Sequence, residues 1–191
     1  MRPFCLILIS LVFYVSCSKD ENKTHVLDFK KFTIEVPKSW KKLDNLRGVD
    51  SYVGGFVTED GDSIIFDLGP YSNALHDEGP SIMEKSMWES VKNYPSQIDS
   101  TQFVIVEDTA WVDYDFYRKR NLRWDTIDGR LSKIVFPVRP GDGITGIYID
   151  SLGNEFRGKI RFNLSGFNLK PKNGEILLEA IRTIKFSLKD N

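Results

Sequence analysis

Short apolar runs, broken by Asp-Gly and similar steps, constrain what this chain can fold into. Gly48 to Thr58 and Ser63 to Leu68 flank Glu59-Asp60-Gly61-Asp62. Leu122 to Ile127 and Leu131 to Val138 flank Asp128-Gly129. Ile144 to Ile149 and Phe156 to Leu164 flank Ser151-Leu152-Gly153-Asn154. Asp-Gly between such runs signals a hairpin, because both residues tolerate the positive φ that a tight turn demands. Phe32-Thr33-Ile34-Glu35-Val36 alternates apolar and polar, the pattern of a half-buried strand, and Pro37 ends it. Gly54-Gly55 marks a bulge or a close approach of packed groups. Phe103 to Val106 and Trp111 to Tyr117 read as further strands.

Helical signals are few. Met83, Met87 and Val91 recur every four residues in the stretch from Ser81 to Val91 and predict a buried stripe, and Pro95 excludes continuation. Glu175 to Arg182 carries Ile176, Leu177, Ala180 and Ile181 on one side, and Thr183 to Leu188 follows as a closing strand. Gly166 to Asn173 reads as the connecting loop. Sequential hairpins with few helices predict an α+β fold: one antiparallel sheet covered on at least one face, in a single domain over residues 29–191.

The N-terminus has a different character. MRPFCLILISLVFYVSCSKDEN holds one basic residue, an apolar run from Pro3 to Val15, small Ser16, Cys17 and then polar residues. The run is too short to span a bilayer, which takes about 20 apolar residues, and suits a signal-peptide core. Tyr14-Val15-Ser16-Cys17 resembles a lipobox, departing from it at Tyr14, where Leu is usual. The resemblance implies removal of residues 1–16 and lipid on Cys17; a plain secretory peptide is the alternative. Residues 17–28 then read as a flexible tether, because charged residues without apolar neighbours do not pack. Ser18-Lys19-Asp20-Glu21 resembles the surface-export signal of Bacteroidetes lipoproteins. It implies an outer-membrane address with Lys19, Asp20 and Glu21 as the signal, on the cell surface or on the periplasmic face.

Composition narrows the chemistry. The chain has 191 residues, a formal net charge of −1, two cysteines and two histidines. It has no polybasic block, which argues against nucleic acid as a partner. Both cysteines, Cys5 and Cys17, lie in the leader or at the anchor, so residues 18–191 offer no disulfide, thiol nucleophile or cysteine metal site. No cofactor or metal is expected.

The ends of the domain carry a further likeness. FTIEVPKSW and EILLEAIRTIKFSL resemble the PsbP-like fold, which opens with a strand-Pro-x-x-Trp element and closes with a helix and a strand. GVDSYVGG followed by IIFDLGPYS is similar to an uncharacterised lipoprotein family of Bacteroidetes. The first resemblance implies an assembly or binding factor; neither names a ligand.

Candidate sites follow from residue type and spacing. Glu59, Asp60 and Asp62 are oxygen ligands for a hard cation, or a solvated hairpin tip. Asp113 and Asp115 share one face of a strand and, with Asp108 or Asp125, form a candidate carboxylate pair. His76 beside Asp77 is a triad fragment whose nucleophile would be Ser72 or Ser81, neither in a G-x-S-x-G setting. Gly141 to Gly146 lacks a Lys-Ser/Thr step and reads as a turn into a strand. Trp40 is a binding anchor or the closure of a core end. Asp67, Tyr71 and Ser72, at the end of a hairpin strand beside a loop, form the preferred partner surface.

These readings converge on a lipid-anchored, non-catalytic binding or assembly module of the cell envelope, with an envelope protein or glycan as its partner. Two alternatives stand beside it: an envelope hydrolase using Asp113 and Asp115, and an immunity-type lipoprotein that blocks a toxin.

Overall fold

Phe32, Ile34 and Val36 are buried while Thr33 and Glu35 between them are not, because successive side chains of a strand point to opposite faces. The computed structural model describes residues 23–43, 46–76, 81–93, 103–156 and 158–187. In chain order these form β1 (Thr24–Asp28), β2 (Phe32–Pro37), β3 (Lys41–Lys42), β4 (Tyr52–Val57), β5 (Ser63–Gly69) and β6 (Ser81–Glu84). Then come α1 (Lys85–Val91), β7 (Phe103–Val106), β8 (Arg120–Ile127), β9 (Arg130–Pro137) and β10 (Ile144–Ile149). The chain closes with β11 (Asn154–Glu155), β12 (Gly158–Lys159), β13 (Arg161–Phe167), α2 (Pro171–Ile181) and β14 (Lys185–Phe186).

The fold is α+β and mainly antiparallel. A seven-stranded sheet runs β3-β4-β5-β13-β10-β9-β8, and a three-stranded sheet runs β1-β2-β14. The expectation of a single sheet is corrected here: the closing strand β14 pairs with β2 in the smaller sheet. Phe29, Phe32, Phe66 and Phe162 form the centre of the core, with Phe29–Phe66 centroids 4.8 Å apart and Phe32–Phe162 centroids 5.0 Å apart. Leu177, Ala180 and Ile181 of α2 join the same cluster. Each fully buried side chain of this kind contributes about 1.5–3 kcal/mol. Gly54 lies opposite Phe66, and a Cβ there would meet the Phe66 ring at 2.5 Å, so close packing explains the glycine. Trp40 is buried and stacks on Phe56 at 5.6 Å, closing one end of the core.

Several sequence expectations are corrected. Thr24–Asp28, assigned to the tether, is a strand with all five residues paired to β2; Leu27 is buried, which supplies the apolar contact a tether lacks. The predicted helix from Ser81 begins as β6, which pairs parallel with β7 through Ile82↔Val104 and Met83↔Ile105. The helix that remains, α1, is seven residues long and buries none of them, and Met87 is 60% exposed. β6-α1-β7 is thus a small βαβ unit, whose crossover a parallel pair requires.

Trp111 to Tyr117 is no strand. A short 3-10 turn occupies Thr109–Trp111, capped by Asp108, whose side chain accepts the Ala110 N–H. Asp113 likewise accepts the Asp115 N–H at 3.0 Å. Such local side-chain bonds compete with a ladder and favour turns. The third hairpin is longer than read: β10 pairs with β13, and the β11–β12 ribbon lies between them in the chain. α2 starts at Pro171, four residues before the predicted Glu175, since Pro is well placed in a first turn. Residues 1–16 and Cys17, Lys19, Asp20 and Glu21 lie outside the described residues, as do Asp77 and Pro95.

Candidate functional site

Strand alternation gives the seven-stranded sheet two unlike faces. Phe66, Phe162, Ile147 and Ile134 point into the core. Their neighbours of opposite parity form a row across the other face: Asp67 beside Asn163, Asn163 beside Tyr148, Tyr148 beside Lys133, and Lys133 beside Trp124. Five strands therefore contribute a polar or amphipathic group at one level of the sheet.

The segment from Pro70 to His76 crosses this face. Leu75 is its plug, buried against Val135 and Tyr148, and it sits at φ 49°, a conformation uncommon for a side chain of its kind. Specific bonds hold it there. Ser72 Oγ lies 2.9 Å from Asp67 O and 3.2 Å from Gly69 O, both acceptors. Asn163 Nδ2 donates to Asn73 O at 2.9 Å, and the Leu75 N–H donates to Asn73 Oδ1 at 2.8 Å. Arg120 donates to Leu75 O, and Arg161 donates to Pro70 O.

Between this segment and the ends of β10 and β13 lies an open cleft of about 640 Å³, lined by Tyr71, Ser72, Asn73, His76, Tyr148, Asp150 and Arg161 among others. Asp150 is its electrostatic centre. It accepts from Lys159 Nζ at 2.7 Å, from Tyr148 Oη at 3.0 Å and from Arg161 Nε at 3.4 Å. The Lys159 bond, followed by the Tyr148 bond, holds the Asp150 carboxyl below the usual carboxylate range. Burial, and then the bond to Asp150, pushes the Tyr148 phenol up. At neutral pH the cleft therefore presents a carboxylate acceptor, a guanidinium donor and a protonated phenol at one wall.

Lys133 lies deeper, under Leu75. It is 8% exposed, its Nζ stands 3.4 Å from Leu75 O and 5.3 Å from the centre of the Tyr148 ring. No ion pair holds it among the described residues. Burial, and then the neighbouring charge of Arg120, pushes its ammonium below the usual lysine range. The ring face of Tyr148 compensates in part.

The three residues of the expected partner surface part company. Tyr71 is 72% exposed on the cleft rim. Ser72 is buried and serves as an anchor of the crossing segment. Asp67 lies beneath, with its Oδ1 buried and without a hydrogen-bond partner among the described residues. Tyr148, Asp150, Arg161, Asn163 and Lys133 were not legible as site residues. Asn163 and Lys133 did carry a signal, a polar residue interrupting an apolar strand.

The other candidates resolve locally. Asp60 and Asp62 are bonded to Lys170 and Asn173 at the start of α2. Asp115 pairs with Arg118, so Asp113 and Asp115 sit in a turn and not on a common strand face. His76 is exposed at the cleft rim. His25 Nε2 lies 3.1 Å from Trp40 O. Gly141 and Gly143, at φ 90° and 126°, form the expected turn into β10. Among the described residues no cluster of three or more His, Cys, Asp and Glu stands ready for a metal, and no helix is long and apolar enough to cross a membrane.

Fold and cleft together define a β-rich α+β module with an open polar-aromatic site. The chain matches no known protein family and no curated protein.

Proposed function

We propose that this protein is a lipid-anchored binding module of the cell envelope, fixed to the outer membrane through Cys17, and that its cleft takes an envelope glycan without turning it over. The observation that carries the reading is that Tyr148, Asp150 and Arg161 line one cleft together with the exposed Tyr71. Planar carboxylate and guanidinium groups side by side accept from and donate to neighbouring hydroxyls, and an exposed tyrosine ring packs on the apolar face of a sugar. Pockets of several hundred Å³ with a few convergent polar groups suit a small ligand or the end of a chain. The two aspartates of the hydrolase alternative lie elsewhere, one in a turn bond and one paired with Arg118. A PsbP-like arrangement is part of this reading; the buried Trp40 after β2 and the α2-β14 ending support it.

Two measurements test it. Full chain expressed in an envelope with its lipid machinery should fractionate with the membrane, and Cys17→Ser should release it. Purified full chain in mild detergent should bind envelope glycan fragments in calorimetry. Tyr71→Ala and Arg161→Ala should each weaken binding by about tenfold, the equivalent of ~1.4 kcal/mol. Glycan cleavage by the wild type, or binding indifferent to both substitutions, overturns the reading of the cleft.

A further inference from the structure

Among the described residues β8 ends the seven-stranded sheet, with β9 on one side only. The β8–β9 turn runs through Asp128 and Gly129 at φ 48° and 75°, the type I′ geometry of a two-residue connection. Ile127 and Arg130 close the first bonded pair, and bonding then alternates along the strand. The Val138 N–H donating to Lys119 O at 3.0 Å continues the same parity beyond the strand. Leu122, Trp124 and Thr126 therefore turn their backbone groups toward the open edge. An open edge of eight residues is a template for another strand.

The side chains along this edge are self-complementary. Reversal of the strand about Trp124 sets Trp124 opposite its own copy, Leu122 opposite Thr126, and Arg123 opposite Asp125, the last two pairs occurring twice. Trp124 is 58% exposed and Leu122 is 48% exposed. Neither Arg123 nor Asp125 makes an ion pair within the chain among the described residues. Asp125 accepts the Thr126 N–H at 2.8 Å, a bond that covers part of the edge in the lone chain.

We propose that two copies of this chain pair edge to edge through β8, antiparallel about a two-fold axis at Trp124. The parity of the β8–β9 ladder makes Trp124 and its copy a bonded pair that exchanges both N–H···O bonds. Arg123 and Asp125 then fall at the intervening pairs, where Cα atoms approach to about 4.5 Å and side chains are closest. Asp125 leaves the Thr126 N–H for the guanidinium of the second copy, and that N–H passes to the Leu122 carbonyl across the axis. The axis is perpendicular to the sheet, so both clefts face the same side of one continuous sheet. The contact is isologous, as closed dimers require. A different partner strand would need a basic and an acidic residue in the same order about an apolar one; the chain itself supplies that order. One strand pair buries a small interface, so the dimer belongs to the weak class.

Sedimentation velocity on the full chain in mild detergent, over ~1–200 µM to span a weak dimer, tests the pairing. The wild type should pass from monomer to dimer across that range. Arg123→Asp and Asp125→Arg, each placing like charges opposite one another at two positions, should each weaken dimerisation about tenfold or more. The double variant should restore it to within about threefold of wild type. The two single variants, mixed, should associate with each other better than either does with itself. Trp124→Ala should weaken the dimer without changing the fold, read by circular dichroism. A chain that stays monomeric throughout, a dimer indifferent to both charge reversals, or a double variant no better than the single ones overturns the proposal. So does a wild-type monomer whose β8 edge is held by a different protein.

Discussion

Asn173 Nδ2 donates to Asp62 Oδ2 at 2.8 Å, and the two residues stand 111 positions apart in the chain. The bond ties the tip of the β4–β5 hairpin to the first turn of α2. Lys170, the residue before that helix, caps nothing with its own side chain. Asp62 Oδ2 instead accepts the Lys170 N–H at 2.7 Å. Asp60 accepts from Asn173 at 2.7 Å and pairs with Lys170 at 2.9 Å. The Lys170 bond, then the Asn173 and Thr58 bonds, hold the Asp60 carboxyl well below its usual range. A helix start leaves N–H groups without partners, and a distant hairpin supplies what a local cap would.

Asn173→Ala should therefore loosen two elements at once. The expected loss is about 1–3 kcal/mol, the range for removing one partner of a buried hydrogen-bonded set. Hydrogen exchange should speed up both at Gly61 and in the first turn of α2. Faster exchange in α2 alone would show that the hairpin tip does not depend on the contact.

Trp40→Ala should cost about 3–5 kcal/mol, because it opens a cavity against Phe56 that the paired strands cannot collapse into. Urea denaturation followed by circular dichroism measures it. A loss below about 1 kcal/mol would mean that Trp40 is not a core closure.

Lys133→Met should stabilise the protein, since it replaces a buried ammonium, held by no ion pair among the described residues, with an apolar chain of similar length. A gain on the order of 1 kcal/mol at neutral pH is expected. The sign follows from the lowered pKa. The native state binds fewer protons than the unfolded one, so the wild-type penalty is full below the native value and fades as pH rises toward about 10.4. The advantage of the variant should shrink over that interval in denaturation curves taken from neutral to alkaline pH.

Asp128→Asn tests the opposite case. The Phe186 N–H, and after it Lys185 and Arg130, hold the Asp128 carboxyl below its usual range. Its contribution is present above the unfolded value and is lost as pH falls through the lower native one. Asn keeps the positive φ and an acceptor for Phe186 but loses the attraction to Lys185 and Arg130. The variant should be less stable at pH 7 by under about 1 kcal/mol, and the difference should disappear as pH drops below about 4.

The sequence by itself determined what depends on neighbours in the chain. Asp128-Gly129 set a two-residue turn, Phe32 to Val36 declared its buried face by period two, and Ile176 to Ile181 declared a helix by its apolar side. Local competition was harder to read: Asp108 and Asp113 bond their own backbone and turn a segment that looked extended. So was a parallel pair such as β6–β7, whose partners are separated by a helix. Only the tertiary structure decided which strands lie side by side, and with that the cleft. Asn163 and Lys133 look like isolated polar interruptions until β5, β13, β10 and β9 stand in order and bring Asp67, Asn163, Tyr148 and Lys133 into one row. Arg161, Asp150 and the Pro70–His76 segment meet for the same reason. Side-chain parity is a local property, whereas strand order is a property of the whole chain, set by burial of Phe66, Phe162 and Ile147 on the opposite face.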